Sequence, residues 1–404
     1  MNFVVLSNFV VGMHLLRSKS DVVIAGGGVI GSACAFFLHM DPAFRRSIAV
    51  VEPDPSYRDT ASTRSASSIR QQFSTPINIA LSAFGMEFLR GAARRWPQSG
   101  MGLVESSYLY LSTAQGRASL EERVAMQRKS GVPVELHDRA TLSARYPWLN
   151  TADLAAGSDT VGAEGWFDGY GLVQALRKKA QALGARSVAA EVSAMHRTGR
   201  RVTEVVASNG ETYPCDVVVD AAGAWSRTVA AMVGIDLPVF ARRRSIFNVS
   251  SPAQLARCPL LIDPSGVYFR PEGKSFICGT SPAADNDPDD LPLDEVDHAL
   301  FDDVIWPTLA HRVPQFEALR VQNCWSGYYE YNVFDQNAII GHHPDVDNCI
   351  FANGFSGHGL QQGPATGRGI SELILHGRYT TLDLSSLGFA RVLENRPIVE
   401  KNVV

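Results

Sequence analysis

Three glycines near the start of the chain have the spacing of a phosphate-binding turn. Gly26, Gly28 and Gly31 form G-x-G-x-x-G directly after a short apolar run, and an apolar helix is predicted to follow them. A second predicted strand ends at Glu52. In a dinucleotide site such glycines let the backbone approach a diphosphate, the helix N-terminus favours negative charge, and the acid accepts from ribose hydroxyls. The sequence therefore predicts a dinucleotide-binding unit.

Two later segments supply further small residues. CDVVVDAAGAWS, 215–226, reads as a buried strand whose small residues let its end lie against a cofactor. NGFSGHGLQQGPATGRG, 353–369, holds six glycines, and a helix is predicted over 365–375, ending at Gly377. These patterns indicate one cofactor contacted from three distant segments. They leave NAD and FAD open, because both share the glycine fingerprint.

Length and composition indicate an ordinary globular protein of about two domains. The chain has 404 residues, 45% hydrophobic and 19% charged, with a formal net charge of -4. This charge gives no reason to expect a nucleic-acid partner. The six cysteines are scattered without a C-x-x-C pair, which favours reduced thiols and a cytoplasmic protein. No ligand spacing predicts a metal site.

The first nineteen residues are predicted to be an N-terminal extension. They are apolar, but Arg17 and Lys19 follow the apolar run instead of preceding it, and no small-residue cleavage site is present. A secretory signal is therefore not predicted, and the run is shorter than the ~20 apolar residues that span a bilayer. Two alternatives stay open: translation starting at Met13, or a short membrane-surface anchor.

The chain resembles the flavin-dependent amino-acid oxidases and dehydrogenases, which include sarcosine oxidase, dimethylglycine dehydrogenase and D-amino-acid dehydrogenases. The glycine fingerprint, VVDAAGAWS and FSGHG occur in that family's order, and RQQFSTPINIALS at 70–82 is also similar. The chain is more similar still to the FAD-dependent oxidoreductase domain proteins of mitochondria, which serve in the assembly of respiratory complex I. The resemblance implies FAD as the cofactor.

The resemblance also implies a fold. It is α/β, α+β overall, with a Rossmann-type FAD-binding domain and a second, antiparallel-sheet substrate domain, as in the glutathione-reductase-like and D-amino-acid-oxidase-like proteins. The expected ranges are 20–92, 155–237 and 322–384 for the FAD-binding domain, 93–154 and 238–321 for the substrate domain, and 385–404 for a C-terminal tail.

The family's cofactor contacts carry over to the three small-residue segments and to a serine-rich loop. The amides that open the C-terminal helix are expected to face the flavin's pyrimidine edge, where reduction gathers negative charge. The predicted cofactor-binding residues are Gly26, Gly28, Val29, Ile30, Gly31, Glu52, Ser67, Ser68, Ala222, Gly223, Trp225, Gly354, Gly357, His358, Gly359, Leu360 and Gln361.

Four residues are predicted to act on the substrate. Arg70 matches the arginine that binds an amino-acid carboxylate in the family, although a plain salt bridge is the alternative. Tyr268 and Tyr329 match aromatic positions near the substrate amine, with sheet-surface and core roles as their alternatives. For His358 a flavin hydrogen bond is favoured over direct proton transfer. Strand alternation places Arg270 on the face of Tyr268, within reach of a ligand.

Two departures from the family affect the attachment of the cofactor and the acid clamp, the cationic side chains that bind the substrate carboxylate. Sarcosine oxidases link the flavin to a cysteine where Gly327 falls, and Cys324 lies three positions too early. The FAD is therefore predicted to be noncovalent. Those enzymes also place a carboxylate-binding lysine where Gln361 falls, so the clamp is predicted to rest on Arg70, alone or with Arg270.

A third departure concerns oxygen. Oxidases of the family place a lysine beside the flavin where Ile277 falls, and Lys274 is expected on the opposite strand face, in solvent. A positive charge there would stabilise developing superoxide. The sequence therefore predicts a dehydrogenase that passes electrons to a quinone or an electron-transfer protein.

Two functions remain open. One is an enzyme that oxidises the C–N bond of a secondary, N-methylated or D-amino acid, or a related amine, to an imine by hydride transfer to flavin N5. The other is an FAD-binding assembly or interaction protein of a respiratory complex with little catalysis. Arg70 favours the enzyme, because a scaffold needs no guanidinium beside the flavin. The expected location is the cytoplasm, with peripheral association at the inner face of a membrane or with the respiratory chain as the alternative.

Overall fold

A computed structural model describes residues 20–403, and the expectations for 1–19 lie outside them. Within these residues the first large sheet has six strands, of which all but the edge strand β19 run parallel. Buried apolar residues of the first strands place its centre in the core, as expected for a sheet covered on both faces. In spatial order the strands are β19 (Ile339–His343), β20 (Val346–Asn353), β13 (Val217–Asp220), β1 (Val22–Ala25), β2 (Ile48–Glu52) and β9 (Arg186–Ala189).

The second large sheet has eight strands, and residues of both large sheets face a common cavity. It is antiparallel except where β5 and β15 run parallel. Its two longest strands, β14 and β18, pair along nearly their whole lengths. In spatial order the strands are β18 (Arg320–Asn332), β14 (Val239–Ser250), β17 (Ser275–Gly279), β16 (Tyr268–Glu272), β15 (Leu260–Ile262), β5 (Tyr108–Ser112), β7 (Ala156–Thr160) and β6 (Val134–Asp138).

Two small sheets and a layer of helices complete the described residues. The small sheets are β10 (Val192–Thr198), β11 (Arg201–Ala207) and β12 (Thr212–Pro214), and β3 (Ser68–Ile69), β8 (Glu164–Trp166) and β4 (Val104–Ser106). The α-helices are α1 (Val29–Met40), α2 (Pro76–Arg95), α3 (Arg117–Lys129), α4 (Arg139–Arg145), α5 (Gly169–Ala182), α6 (Ser226–Ala231), α7 (His298–Leu300), α8 (Trp306–Arg312), α9 (Gly359–His376) and α10 (Ala390–Leu393). The main core lies between the six-stranded sheet and α1, α2, α5 and α9.

The arrangement confirms the predicted fold class, an α/β unit with a second, mainly antiparallel sheet. The domain ranges stay a prediction, and the strands cross them at two places. β7 lies in the range 155–237 and most of β18 lies in 322–384, both predicted for the FAD-binding domain. In the structure β7 pairs with β5 and β18 pairs with β14, so both strands belong to the eight-stranded sheet. Among residues 20–403 no helix has the length and apolar character needed to cross a membrane.

Candidate active site

One large cavity, of about 670 Å³, is lined by residues of both large sheets and of the turns that follow β1 and β13. All of the predicted site residues line it except Gly31 and Gly354. Segments more than three hundred positions apart in the sequence thus meet at one site. The structure brings the predicted residues together, and their individual roles remain predictions.

Close contacts in the turn after β1 require glycine at two of the three fingerprint positions. Gly26 has φ +94°, and a Cβ there would lie 2.3 Å from the carbonyl oxygen of Ala221. At Gly31 a Cβ would lie 1.9 Å from the carbonyl oxygen of Gly26. Gly28 differs, since a Cβ there would meet only Ser62 Oγ, at 3.5 Å. Gly26 therefore lets the turn after β1 lie against the turn after β13, and Gly31 lets α1 pack on the end of β1. Gly28 leaves open space beside the cavity.

Glu52 orders this turn. Its Oε2 accepts from the Gly27 amide at 2.8 Å, and its Oε1 accepts from the Asp54 amide at 3.2 Å. Burial raises the pKa of Glu52, against the lowering effect of these two amides. The carboxylate lines the cavity at the end of β2, where a ribose contact is predicted, but it also fixes the loop geometry.

The glycine-rich segment beyond β20 has two structural purposes. A Cβ at Gly357 would lie 2.4 Å from the ring of Tyr329, so this glycine makes room for a predicted substrate residue. At Gly363 and Gly367 a Cβ would lie 2.7 Å from Val29 Cγ2 and 2.5 Å from Ala33 Cβ. These two glycines therefore let α9 pack closely on α1.

Helix α9 begins six residues before the predicted start at 365 and contains Pro364. Pro364 cannot donate the helical hydrogen bond of its turn, which is why a later start is expected from sequence. Close packing of α9 on α1 stabilises the earlier turns. As a result the N-termini of both α1 and α9 open at the cavity, and each favours negative charge there.

Arg70 is a buried cation with spare donors. It is 5% exposed, and its Nη2 donates to His358 Nε2 at 3.0 Å and to the carbonyl of Asn402. Its Nε has no hydrogen-bond partner, and within residues 20–403 Arg70 forms no ion pair. The guanidinium lies 4.7 Å from the ring centroid of Phe73. The backbone amide of Arg70 donates to Gln361 Oε1 at 2.9 Å, so Gln361 fixes the segment that carries this arginine.

His358 is a neutral imidazole. Burial, and then the charge of Arg70, lower the pKa of His358 to about 3. Because a guanidinium can only donate, Nε2 of His358 must accept from Arg70 and carries no proton. Nε2 is therefore engaged by Arg70, and the choice between a flavin hydrogen bond and proton transfer stays a prediction.

Tyrosines also line this space, of which Tyr108 is buried and Tyr268 and Tyr329 are partly exposed. Tyr268 and Tyr329, both predicted, are joined by Tyr108, which sequence patterns do not single out. Burial raises the pKa of Tyr108 to about 12, and it also raises the pKa values of Tyr268 and Tyr329. All three phenols are thus neutral near pH 7. Strand alternation in YLYLS was the available signal for Tyr108, but it does not distinguish a cavity from a core.

The expected contribution of Arg270 to the acid clamp is corrected by the structure. Arg270 Nη2 and Nε donate to the carbonyl of Ala66 at 2.7 and 3.2 Å, and Nη1 pairs with Glu272. Arg270 does not line the cavity. It shares a strand face with Tyr268, but its side chain holds the loop that carries Ser67 and Ser68.

Arg244 is a second cavity arginine that sequence reasoning missed. It lies 5.2 Å from the ring centroid of Tyr329. Its Nη1 and Nη2 pair with Asp287 at 2.7 and 2.8 Å, so its charge is already balanced. A third cavity arginine, Arg64, pairs with Asp59 at 2.5 Å. Of the three, Arg70 is therefore the one available to an acid.

Glu330 is also missed by sequence reasoning. It lines the cavity, and its Oε2 accepts from the Gly354 amide at 3.2 Å, which gives Gly354 a role just outside the cavity wall. Burial raises the pKa of Glu330 to about 8, and the neighbouring Asp220, whose pKa burial raises to about 7, adds to this effect. A carboxyl between aromatic residues in GYYEYN was the available signal.

The positions that differ from the sarcosine oxidases are also defined. Gly327 lines the cavity, whereas none of the six cysteines does. Ile277 is 2% exposed, lies opposite Arg270 on the neighbouring strand, and does not line the cavity. Lys274 is exposed, as expected.

One cluster outside the cavity has the composition of a metal site. Glu135, His137 and Asp159 offer ligand atoms within 4.8 Å of one another. Asp159 already pairs with Arg145 at 3.2 Å and accepts from Tyr146 at 2.7 Å, besides its contact with His137. Its oxygens are therefore used by protein groups, and the cluster reads as an ion-pair network.

Comparison with known proteins decides the family. Residues 21–373 match the family described as FAD dependent oxidoreductase. The chain belongs to this family. This FAD-dependent oxidoreductase is 39% identical over 428 residues to FAD-dependent oxidoreductase domain-containing protein 1 from Xenopus laevis. The match covers 96% of this chain and 85% of that protein. It is 26% identical over 384 residues to a glycine oxidase from Geobacillus kaustophilus (strain HTA426), and this match covers 93% of this chain and 98% of that protein.

A solved structure shows the same fold. L-proline dehydrogenase from P. horikoshii superposes on this FAD-dependent oxidoreductase with a TM-score of 0.83 at 23% identity, covering 94% of this chain and 99% of that one. The family confirms the predicted FAD. The cavity fits it, because two helix N-termini and the open side of Gly28 offer room and positive potential for the diphosphate and the flavin.

Proposed function

We propose that this protein oxidises the C–N bond of a secondary, N-methylated or D-amino acid to an imine. The observation that carries the proposal is Arg70, a buried guanidinium in the cavity without an ion pair among the described residues. A guanidinium binds a carboxylate through charge-assisted hydrogen bonds. Burying such a cation unpaired is costly, so a ligand acid is the natural partner.

Positioning accounts for the chemistry. Bound FAD supplies the oxidant, whose N5 accepts a hydride from the carbon next to nitrogen. Arg70 would hold the substrate carboxylate, while Tyr268 and Tyr329 would confine the amine beside it. No strong base is required if the amine enters neutral, since its lone pair forms the C=N bond as the hydride leaves. The cationic iminium formed in this way loses its N–H proton to water and becomes the imine. This agrees with a neutral His358. Water then hydrolyses the imine.

Anaerobic reduction of the flavin tests the proposal. We expect at least one secondary, N-methylated or D-amino acid to bleach the flavin, and its carboxamide to do so far less well, because the amide lacks the charge that Arg70 binds. N-methylglycine and its primary amide are one such pair. If dithionite bleaches the flavin and no amino acid or amine in the panel does, the assembly or interaction hypothesis is favoured instead.

We further propose a dehydrogenase that reacts slowly with oxygen and passes electrons to a quinone or an electron-transfer protein. At the position of the oxidases' lysine stands Ile277, buried and apolar, and Lys274 is exposed. After anaerobic reduction, mixing with oxygenated buffer in a stopped-flow instrument should give reoxidation much slower than turnover with an artificial acceptor. Equal rates would contradict the proposal.

The structure makes a lysine at position 277 a poor gain-of-function test. That side chain would be buried opposite Arg270 and outside the cavity. With an electron-transfer protein as acceptor the protein would work in the cytoplasm, and with a quinone it would work at the inner face of a membrane.

A further inference from the structure

The segment 398–402 folds back onto the strand-to-helix loop that carries Arg70. We propose that this segment, the C-terminal strap, positions Arg70 for carboxylate binding, with Glu400 as a positioning residue. The inference rests on the proposed function of Arg70. The strap lies beyond the residues that match the family, 21–373, so it is a feature of this chain that the family match does not cover.

Glu400 anchors the strap. It is 1% exposed, and its Oε1 accepts from the amide and hydroxyl of Ser74 at 2.8 and 2.6 Å and from the Asn402 amide at 3.0 Å. Its Oε2 accepts from Thr75 Oγ1 at 2.9 Å and from Asn78 Nδ2 at 3.0 Å. A buried carboxylate with this many donors is held in one orientation. The strap is therefore fixed to the start of α2, a few residues after Arg70.

Asn402 connects this anchor to the cavity. Its Nδ2 donates to the carbonyl of Gln72 at 2.9 Å, and its own carbonyl accepts from Arg70 Nη2. The same carbonyl faces His358, which also accepts from Arg70 Nη2. Arg70 is thus held on one side by a neutral imidazole and a backbone carbonyl, neither of which neutralises it.

Glu400 is one of several groups that act on the pKa of the buried Arg70 guanidinium. Burial acts to lower the pKa of Arg70, and nearby Tyr110, Tyr108 and Glu400 outweigh it, so the pKa of Arg70 is raised. Burial acts to raise the pKa of Glu400, but hydrogen bonds from Ser74 and Asn78 and the proximity of His358 lower it overall. The lowered pKa keeps Glu400 anionic, and Glu400 forms no ion pair with Arg70 among the described residues. A direct ion pair would occupy the donors that a substrate needs.

Kinetics of two strap variants test the inference on the full-length holoenzyme. In Glu400→Gln and Glu400→Gln/Asn402→Ala we expect KM for an acid substrate to rise roughly tenfold, the loss of about one charge-assisted contact, with FAD content and kcat near wild type. KM for the matching carboxamide should not change. Lys401→Ala, whose side chain is exposed between the two anchors, is the control and should match wild type. Unchanged KM values in both strap variants would overturn the inference.

Chemical labelling tests the strap without relying on catalysis. If no amino acid is oxidised, the proposed function is contradicted, but the labelling result still decides whether the strap holds Arg70. Phenylglyoxal modifies accessible arginines, and mass spectrometry reads the peptide that contains Arg70. We expect labelling of Arg70 to be several-fold faster in the double variant than in wild type or Lys401→Ala, because release of the strap uncovers the guanidinium. Asn402→Ala alone serves if the double variant does not fold. Equal labelling in all folded proteins would refute the strap.

Discussion

Replacing Arg70 with alanine should lower kcat/KM for amino-acid substrates by about 10- to 150-fold, the equivalent of a charge-assisted contact worth roughly 1.5 to 3 kcal/mol. The FAD content should not change, because the guanidinium bonds to His358 and Asn402 and not to the glycine turn that is predicted to hold the diphosphate. Anaerobic stopped-flow reduction over a range of substrate concentrations measures the effect, which should fall mainly on KM.

The substrate provides the control for this variant. With the carboxamide of the same substrate, wild type and Arg70→Ala should reduce at similar rates, since the charge that Arg70 binds is already absent. Arg70→Met keeps most of the side-chain volume against Phe73 and separates lost packing from lost charge. If the acid substrate reduces both variants as fast as wild type, Arg70 does not bind the carboxylate.

Replacing Gly28 with tryptophan should give a folded protein without FAD. Gly28 has φ -56°, which any residue adopts, and a Cβ there meets only Ser62 Oγ at 3.5 Å, so a large side chain would extend into the cavity where the diphosphate is predicted to lie. Gly31→Val is the contrasting variant. Its Cβ would lie 1.9 Å from the Gly26 carbonyl oxygen, and we expect loss of the folded state itself.

Circular dichroism and flavin absorbance after acid precipitation distinguish these outcomes. In wild type the flavin should be released into the supernatant, because no cysteine among the described residues lines the cavity. Yellow colour that stays in the wild-type pellet would show a covalent link. Stoichiometric FAD in folded Gly28→Trp would contradict the placement of the diphosphate.

The cofactor half of the site could be predicted because its signals are local. Strand, turn, helix and acid follow one another between Val22 and Glu52, and each has its own pattern of spacing. Helix α9 was predicted too short, because its first turns depend on contacts of Gly363 and Gly367 with α1, which no local pattern reports. The outcome shows tertiary packing overriding the penalty of Pro364.

The substrate half could be predicted only in part. Arg244 and Glu330 reach the cavity through the pairing of β14 with β18, strands about eighty positions apart, so their neighbourhood is not visible in either segment alone. Strand alternation correctly places Arg270 on the face of Tyr268, but it does not predict where the guanidinium of such a long side chain will lie. Residues 385–404 read as a tail, because the donors that bury Glu400 lie more than three hundred positions earlier.

The contact between Arg70 and Asn402 also constrains the order of biosynthesis. These residues are 332 positions apart, so during synthesis at ~5–20 residues per second the nascent chain exposes the arginine long before its carbonyl acceptor leaves the ribosome. The glycine turn and its strands can form early, whereas the anion-binding end of the cavity must be completed last.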